Sequence, residues 1–255
     1  MTRGKTAPNR LRQVDNFLLR YAPGLISSQG PALFVDLGYG AEAVTTLESA
    51  ARFRRLNPAL KVLGVEIEPE RVAAALPFAD AQTFFRLGGF NLPLEAGETV
   101  RLVRAFNVLR QYQAAEVLPA WEQLARYVEP GGLMIEGTSN PSGALWTANL
   151  LRRVESGWAQ EALVFYTNFH LGLDLLEFQA RLPKNYIHRM VPGEPIFDFF
   201  SAWKAAVAET SSQQTWGLRQ WYTSAAEALA RRSYKINLRR KWLMKGWLIW
   251  ENPTA

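Results

Sequence analysis

The chain has 255 residues, 48% hydrophobic and 20% charged, with a net charge of +6, a balance that excludes disordered, collagen-like and low-complexity classes. It has no cysteine and only two histidines, His170 and His188, so disulfides, cysteine-ligated zinc, iron–sulfur clusters, thiol nucleophiles and multi-histidine metal sites are all excluded, and no metal is expected. No apolar run approaches the ~18 residues of a membrane span, and the start MTRGKTAPNRLRQ lacks an apolar signal core; a soluble, cytoplasmic chain without a membrane partner is expected.

Residues 1–20 form a basic extension of net charge +4, whose Arg3, Lys5, Arg10 and Arg12 suit a disordered tail or a lid. From about 30 to 138 short β-rich runs alternate with helical stretches, the pattern of βαβ units and a parallel sheet. ALFVDL (32–37) reads as a strand buried on both faces. It runs into Val35-Asp36-Leu37-Gly38-Tyr39-Gly40, a G-x-G turn that opens a helix over 41–56. Glycines there let the backbone turn sharply and approach a ligand, and the helix start presents free N–H groups. Residues 38–43 also fit a G-x-G-x-x-A dinucleotide fingerprint. Asp36 argues against a pyrophosphate and for a cationic ligand, because like charges would otherwise crowd the turn.

KVLGVEI (61–67) is a second strand with Glu66 at its tip, where a carboxylate accepts two hydrogen bonds from a ribose diol. As a pocket acid, Glu66 is expected to be dispensable for folding. PERVAAAL (69–76) starts a helix, and TFFRL (83–87) and RLVRAFNVL (101–109) are the third and fourth strands. The helix of 114–128 should kink or begin at Pro119, EPGG (129–132) turns, and LMIEGT (133–138) is the fifth strand.

Beyond 140 the texture becomes aromatic, with eight of the nine Trp residues. Residues 144–154 and 161–169 are predicted as an antiparallel pair, 195–209 and 218–232 as helices, and 241–250 as a final strand. His188 lies in a Pro- and Gly-bounded loop, LPKNYIHRMVPG, suited to recognising a second substrate, although a hydrogen-bonded loop residue is the commoner role of such a histidine. Residues 231–255 carry a net charge of +6, and the run 231–242 interleaves bases with aromatics, as grips on single-stranded nucleic acid do. The competing role is a basic loop whose rings pack inward.

VDLGYG resembles motif I of the class I S-adenosylmethionine-dependent methyltransferases, GVEIEPERV their motif II, and EPGGLMIEGT the segment that ends their core. RGKTAPNRLRQVD, VTTLE, GGFNLPL, VRAFNVLRQY and LPKNYIHRMVPGE together resemble a bacterial methyltransferase-like family without an assigned substrate. The resemblance implies an α/β, Rossmann-like doubly wound sheet, largely parallel, of about seven strands, with a decorated C-terminal half. One domain is expected over 1–255: the extension 1–20, a cofactor-binding core 30–138 and an acceptor-recognition region 139–255. S-adenosylmethionine is the implied cofactor, held by Asp36, Gly38, Tyr39, Gly40, Glu66 and Ile67. Adenine would meet Gly89, Phe90 and Asn91, and Asn107 would lie beside the transferable methyl. Asn107 and His188 are the candidate catalytic residues. The expected activity is methyl transfer to a small-molecule acceptor. The alternatives are an RNA methyltransferase using the basic termini, and a non-catalytic cofactor-binding scaffold on the same fold.

Overall fold

The computed structural model describes residues 7–253; Arg3 and Lys5 of the basic extension lie outside the described residues. The apolar run predicted at 32–37 is β1 (Leu33–Leu37), every residue of it buried. It pairs in parallel with β2 (Val62–Glu66) on one side and β4 (Val100–Phe106) on the other. β3 (Thr83–Leu87) adds outside β2, and β5 (Val128–Ser139) outside β4. The strand order therefore reverses between β1 and β4, which opens a crevice at their carboxyl ends. The predicted EPGG turn is a bulge inside β5: Val100 pairs with Val128 but Leu102 with Leu133, and Gly131 takes φ +82°.

After β5 the chain doubles back instead of crossing over. β6 (Leu145–Val154), β7 (Gly157–Thr167) and β8 (Trp247–Glu251) form an antiparallel meander that completes an eight-stranded sheet, order 3-2-1-4-5-6-7-8. The Rossmann-like, largely parallel half is as expected, with one strand more than predicted. The last strand starts at Trp247 and not at 241, because Arg240–Leu243 coil into a helix and Gly246, φ +87°, turns the chain. A Cβ at Gly246 would run into the Thr167 carbonyl.

Helices cover both faces. On one, α1 (Arg12–Tyr21), α2 (Pro23–Ser27) and α3 (Val44–Phe53) pack against Phe34, Leu102, Ile135 and Trp146. The apolar spacing Leu11, Val14, Phe17, Leu18, Tyr21 is helical. From Arg12 onward, then, the N-terminal segment is a packed helix and not a tail. α4 (Pro69–Ala75) joins β2 to β3, its Ala75 meeting Phe85. On the other face α5 (Val117–Ala125) covers the parallel half; Pro119 sits in its first turn without kinking it. The antiparallel half is covered by aromatic residues of α6 (Leu175–Gln179), α8 (Pro195–Glu209) and α9 (Leu218–Ala230), with α7 (Lys184–Ile187) between them in sequence. Phe199 stacks on Trp250 with ring centroids 4.1 Å apart, which accounts for the aromatic texture beyond residue 140. Among the described residues no helix is long and apolar enough to cross a membrane.

Candidate ligand-binding site

A cavity of about 390 Å³ opens at the carboxyl ends of β1, β2 and β4, at the low end of the range for small-ligand pockets. Its centre is the turn after β1. Gly38 and Gly40 take φ +70° and +92°, and a Cβ at Gly38 would stand 2.5 Å from a methyl of Val108. Tyr39 turns inward onto Phe85, with centroids 5.5 Å apart. Burial, with Glu66 and Asp36 nearby, raises its hydroxyl above the ordinary phenol range. The following helix α3 begins only at Val44, so its N-terminal N–H groups are set back from the turn.

Glu66 is 3% exposed and lines the cavity. Its carboxylate accepts from the Gly40 N–H at 2.9 Å and the Ile67 N–H at 3.0 Å, with Arg71 Nη1 at 3.7 Å. A carboxylate offers about four acceptor directions, so these two bonds leave room for a ligand diol. Ile67 is 54% exposed along the rim; Gly88, Gly89 and Phe90 continue it, and Phe90 packs on Tyr112 with centroids 5.1 Å apart. Together they form an apolar stretch of the cavity wall beside Glu66.

Asp36 is engaged from within the protein. Strand register sets it beside Arg104 on the α1–α3 face, and Arg104 Nη2 approaches Asp36 Oδ2 to 2.8 Å. Thr46 and Thr45 hydroxyls donate to the same oxygen at 2.8 and 3.1 Å. Arg104 also reaches Asp15 at 2.5 Å. Burial opposes the charge of Arg104, but Asp36 and Asp15 outweigh it and hold the guanidinium ionised. Asp36 borders the cavity while its carboxylate is ion-paired to Arg104.

Asn107, at φ +61°, ties the tip of β4 to the end of β5. Its Oδ1 accepts from the Ser139 N–H at 3.1 Å, and its Nδ2 donates to Ser139 Oγ at 3.3 Å. Of the sequence-derived candidates, Asp36, Gly38, Tyr39, Gly40, Glu66, Ile67, Gly89, Phe90 and Asn107 all line one cavity. Asn91 is exposed and does not line it, because the chain turns Leu92 inward instead. His188 caps the end of α7, exposed and away from the cavity.

What the 182–193 segment contributes is the end of a polar row that starts at buried Glu136 and Asn149. Asn149 donates to Glu136 at 2.8 Å and to Asn185 at 3.0 Å; Gln160 donates to Asn149 at 2.8 Å, and the Tyr186 hydroxyl to Gln160 at 3.0 Å. Burial pushes the Glu136 carboxyl up to about 7, with the Asn149 bond pulling the other way. Arg71, Gln111 and Tyr112, which the sequence reading did not single out, also line the cavity, as does Arg10, which it had only as part of a tail or a lid. Arg71 could have been found from its place in the first turn of α4, five residues beyond Glu66; nothing in its local sequence marks Arg10 as a cavity residue. The C-terminal basic run does not present its rings: Trp242 is 3% exposed, Tyr234 packs on Phe199 and Trp250, and Arg231 and Arg232 pair with Glu209.

The reversal of strand order with a cavity at its switch point defines a Rossmann-like α/β fold with a candidate ligand site. No family model and no curated protein matches the sequence. Among solved structures the chain is similar to the N-methyltransferase NodS of Bradyrhizobium japonicum WM9, at 15% identity over 51% of this chain and 69% of that one, TM-score 0.36. It is likewise similar to the magnesium protoporphyrin IX methyltransferase ChlM of Synechocystis PCC 6803, crystallised with S-adenosylhomocysteine: 19% identity, 51% and 54% coverage, TM-score 0.38. A pericyclic-reaction enzyme matches at 16%, 54% and 34%, TM-score 0.37. The chain thus spans between about a third and two-thirds of the length of these proteins. Likeness of this order decides neither activity nor substrate.

Proposed function

We propose that the protein is an S-adenosylmethionine-dependent methyltransferase acting on a small-molecule acceptor. The observation that carries this reading is the Glu66 carboxylate seated on the glycine turn. In a dinucleotide site the turn's N–H groups receive a pyrophosphate. Here the Gly40 N–H already donates to a carboxylate, whose charge repels phosphate at that spot. A nucleoside without phosphate meets no such penalty. Glu66 can accept its diol, and Ile67, Phe90 and Tyr112 offer its base an apolar stretch of wall. The motifs VDLGYG and GVEIEPERV fall on the turn and on this acid, in agreement with the resemblance.

When bound, the cofactor supplies a methyl group already activated on a sulfonium. The chain's own residues then have mainly to position it. Glu66 and the glycine turn fix the ribose end, while Asn107, locked to Ser139, shapes the cavity wall at the β4 tip. Holding acceptor, methyl and sulfur in line supplies most of the acceleration, and a base is needed only for an acceptor that must lose a proton. Trp242 of the 231–242 run is buried and Tyr234 packs on Phe199 and Trp250, which favours a small acceptor over RNA.

The test is thermal unfolding with S-adenosylhomocysteine or NAD. Ligand at 100 times its dissociation constant stabilises by about 2.7 kcal/mol, roughly 5–10 °C for a chain of this size. S-adenosylhomocysteine is expected to raise the midpoint and NAD to leave it unmoved; the reverse result overturns the reading.

A further inference from the structure

We propose that the open groove between the start of α9 and the turn after β7 docks an acidic peptide segment of a partner protein, with Trp216 as the apolar anchor and Arg219 as the charged one. The groove shares no residue with the Glu66 cavity, so its occupation does not depend on the cofactor.

Two segments far apart in the chain build it. The chain leaves β7 at Thr167 and turns at once: the Asn168 N–H donates to the Ala144 carbonyl at 2.9 Å and the Phe169 N–H to Thr167 Oγ1 at 3.0 Å. Phe169 takes φ +67°, a conformation that bulky side chains rarely adopt, and its ring is buried. In the second segment the 3₁₀ turn Ser211–Trp216 ends at Gly217, φ +96°, which opens α9. Arg219, in the first turn of α9, ties the two together. Its guanidinium stands 4.9 Å over the Phe169 ring, and Nη1 donates to the Met244 carbonyl at 2.6 Å. The groove that results has a volume of about 850 Å³, towards the upper end of the range for ligand sites.

The chemistry of the lining selects the occupant. Trp216 is 77% exposed, the most exposed large hydrophobic side chain among the described residues, and it shares the groove with Leu218 and Met244. A displayed Trp beside an Arg is the composition that carries most of the energy in protein–protein contacts. Arg219 is the one charged residue lining the groove. Two more cations border it: Arg240 Nη2 lies 4.0 Å from the Met244 sulfur, and Lys245 follows Met244 in the chain. Arg231 and Arg232 are matched by Glu209, but among the described residues no carboxylate stands within salt-bridge distance of Arg219, Arg240 or Lys245. The groove thus carries an uncompensated positive charge, which an acidic partner complements and a basic one does not. Gln213 and Gln220 also line it, and a carboxamide offers both a donor and an acceptor to a peptide main chain. Single-stranded nucleic acid is the poorer match. Its grips stack successive bases on several rings, whereas here one ring is displayed while Trp242 and Tyr234 pack inward.

Fluorescence anisotropy on the full chain at physiological salt tests this with three labelled probes. The first is a pool of short peptides with Asp or Glu at alternate positions and apolar or aromatic residues between them. The second is the same pool with Asn or Gln in place of the acids, and the third is an oligouridylate of equal length. The acidic pool is expected to bind at least about tenfold more tightly than the neutral pool, the difference narrowing as salt rises. W216A should weaken the acidic pool by more than about tenfold, as loss of an anchoring Trp does. R219M should weaken it by about 3- to 10-fold, the worth of one charged contact at a surface, and R219K should restore most of that loss. Trp216 is exposed, so W216A carries the comparison should R219M fold poorly. Neither W216A nor R219K is expected to change the affinity for S-adenosylhomocysteine. Equal binding of the two pools, acidic-pool binding unchanged by W216A, tighter binding of the oligouridylate, or no saturable binding of the acidic pool overturns the proposal.

Discussion

At the scale of single residues, two buried carboxyls behave differently because their surroundings differ. Glu66 is both a ligand acceptor and a structural cap for Gly40 and Ile67. Glu66→Ala should weaken S-adenosylhomocysteine binding by about 1.5–3 kcal/mol. It should also destabilise the fold by roughly 1–3 kcal/mol, since two backbone donors lose a buried acceptor. That second effect corrects the expectation of an acid dispensable for folding; denaturant titration without ligand measures it. Glu136, by contrast, has one donor, Asn149, in a polar row, and burial raises its carboxyl to about 7. The folded state therefore binds this proton more tightly than the unfolded chain does. The stabilisation is fully present below the unfolded value near 4.5 and is lost as pH rises through about 7. Stability should fall by about 2–4 kcal/mol between pH 4.5 and 8 from this group. Glu136→Gln keeps the acceptor for Asn149 and should flatten that decline. Equal pH dependence in both proteins would show that folding does not raise the Glu136 carboxyl.

At the scale of elements, α1 ties the N-terminal segment to the sheet. Phe17 stands among Tyr21, Trp146, Trp242 and Trp247, with centroids 5.2–5.8 Å away, and is fully buried. It thereby joins residues of α1, β6, the Arg240–Leu243 helix and β8. Phe17→Ala should cost about 3–5 kcal/mol in urea denaturation; a loss under 1 kcal/mol, which would fall in the range of a surface substitution, would mean that α1 is not part of the cooperative unit. The spacing of Leu11, Val14, Phe17 and Leu18 was available in the sequence, but it was masked by the surrounding charges, which read as a basic extension. Elsewhere local pattern and structure agree closely. The strand predicted at 83–87 and the helix at 195–209 have the observed bounds. Their periodicity, flanking prolines and turns all point the same way. The strand predicted from 241 failed over its first half because the 240–243 segment closes a helical turn and Trp242 goes under α1, a choice made by packing and not by propensity.

At the scale of the whole molecule, charge is concentrated at the two ends, +4 over residues 1–20 and +6 over 231–255, against −4 for the body. Arg10 contributes to a cavity wall, Arg231 and Arg232 pair with Glu209, and the Lys241 ammonium stands 4.9 Å over Trp242. Single-stranded RNA should therefore bind only in the non-specific range, about 10⁻⁴–10⁻⁶ M at physiological salt. Neutralising Arg239, Arg240 and Lys241 should leave cofactor affinity unchanged. Sub-micromolar RNA binding that falls steeply between 50 and 200 mM salt would instead make RNA the acceptor to pursue.

The sequence by itself determined the alternation of strands and helices over 30–138, the glycine turn after the first strand and the acid at the tip of the second. Each rests on neighbours within a few residues, where periodicity and backbone conformational limits act directly. Which charges would meet was decided only by the tertiary structure. Asp36 lies 68 residues from Arg104 and Arg10 lies 129 from Ser139, and both pairs are brought together by parallel strand register and by the docking of α1. Parallel pairing joins segments separated by whole crossover units, so no short-range pattern records which side chains will share a face. For that reason the location of the cavity could be read in the chain, and its polarity could not.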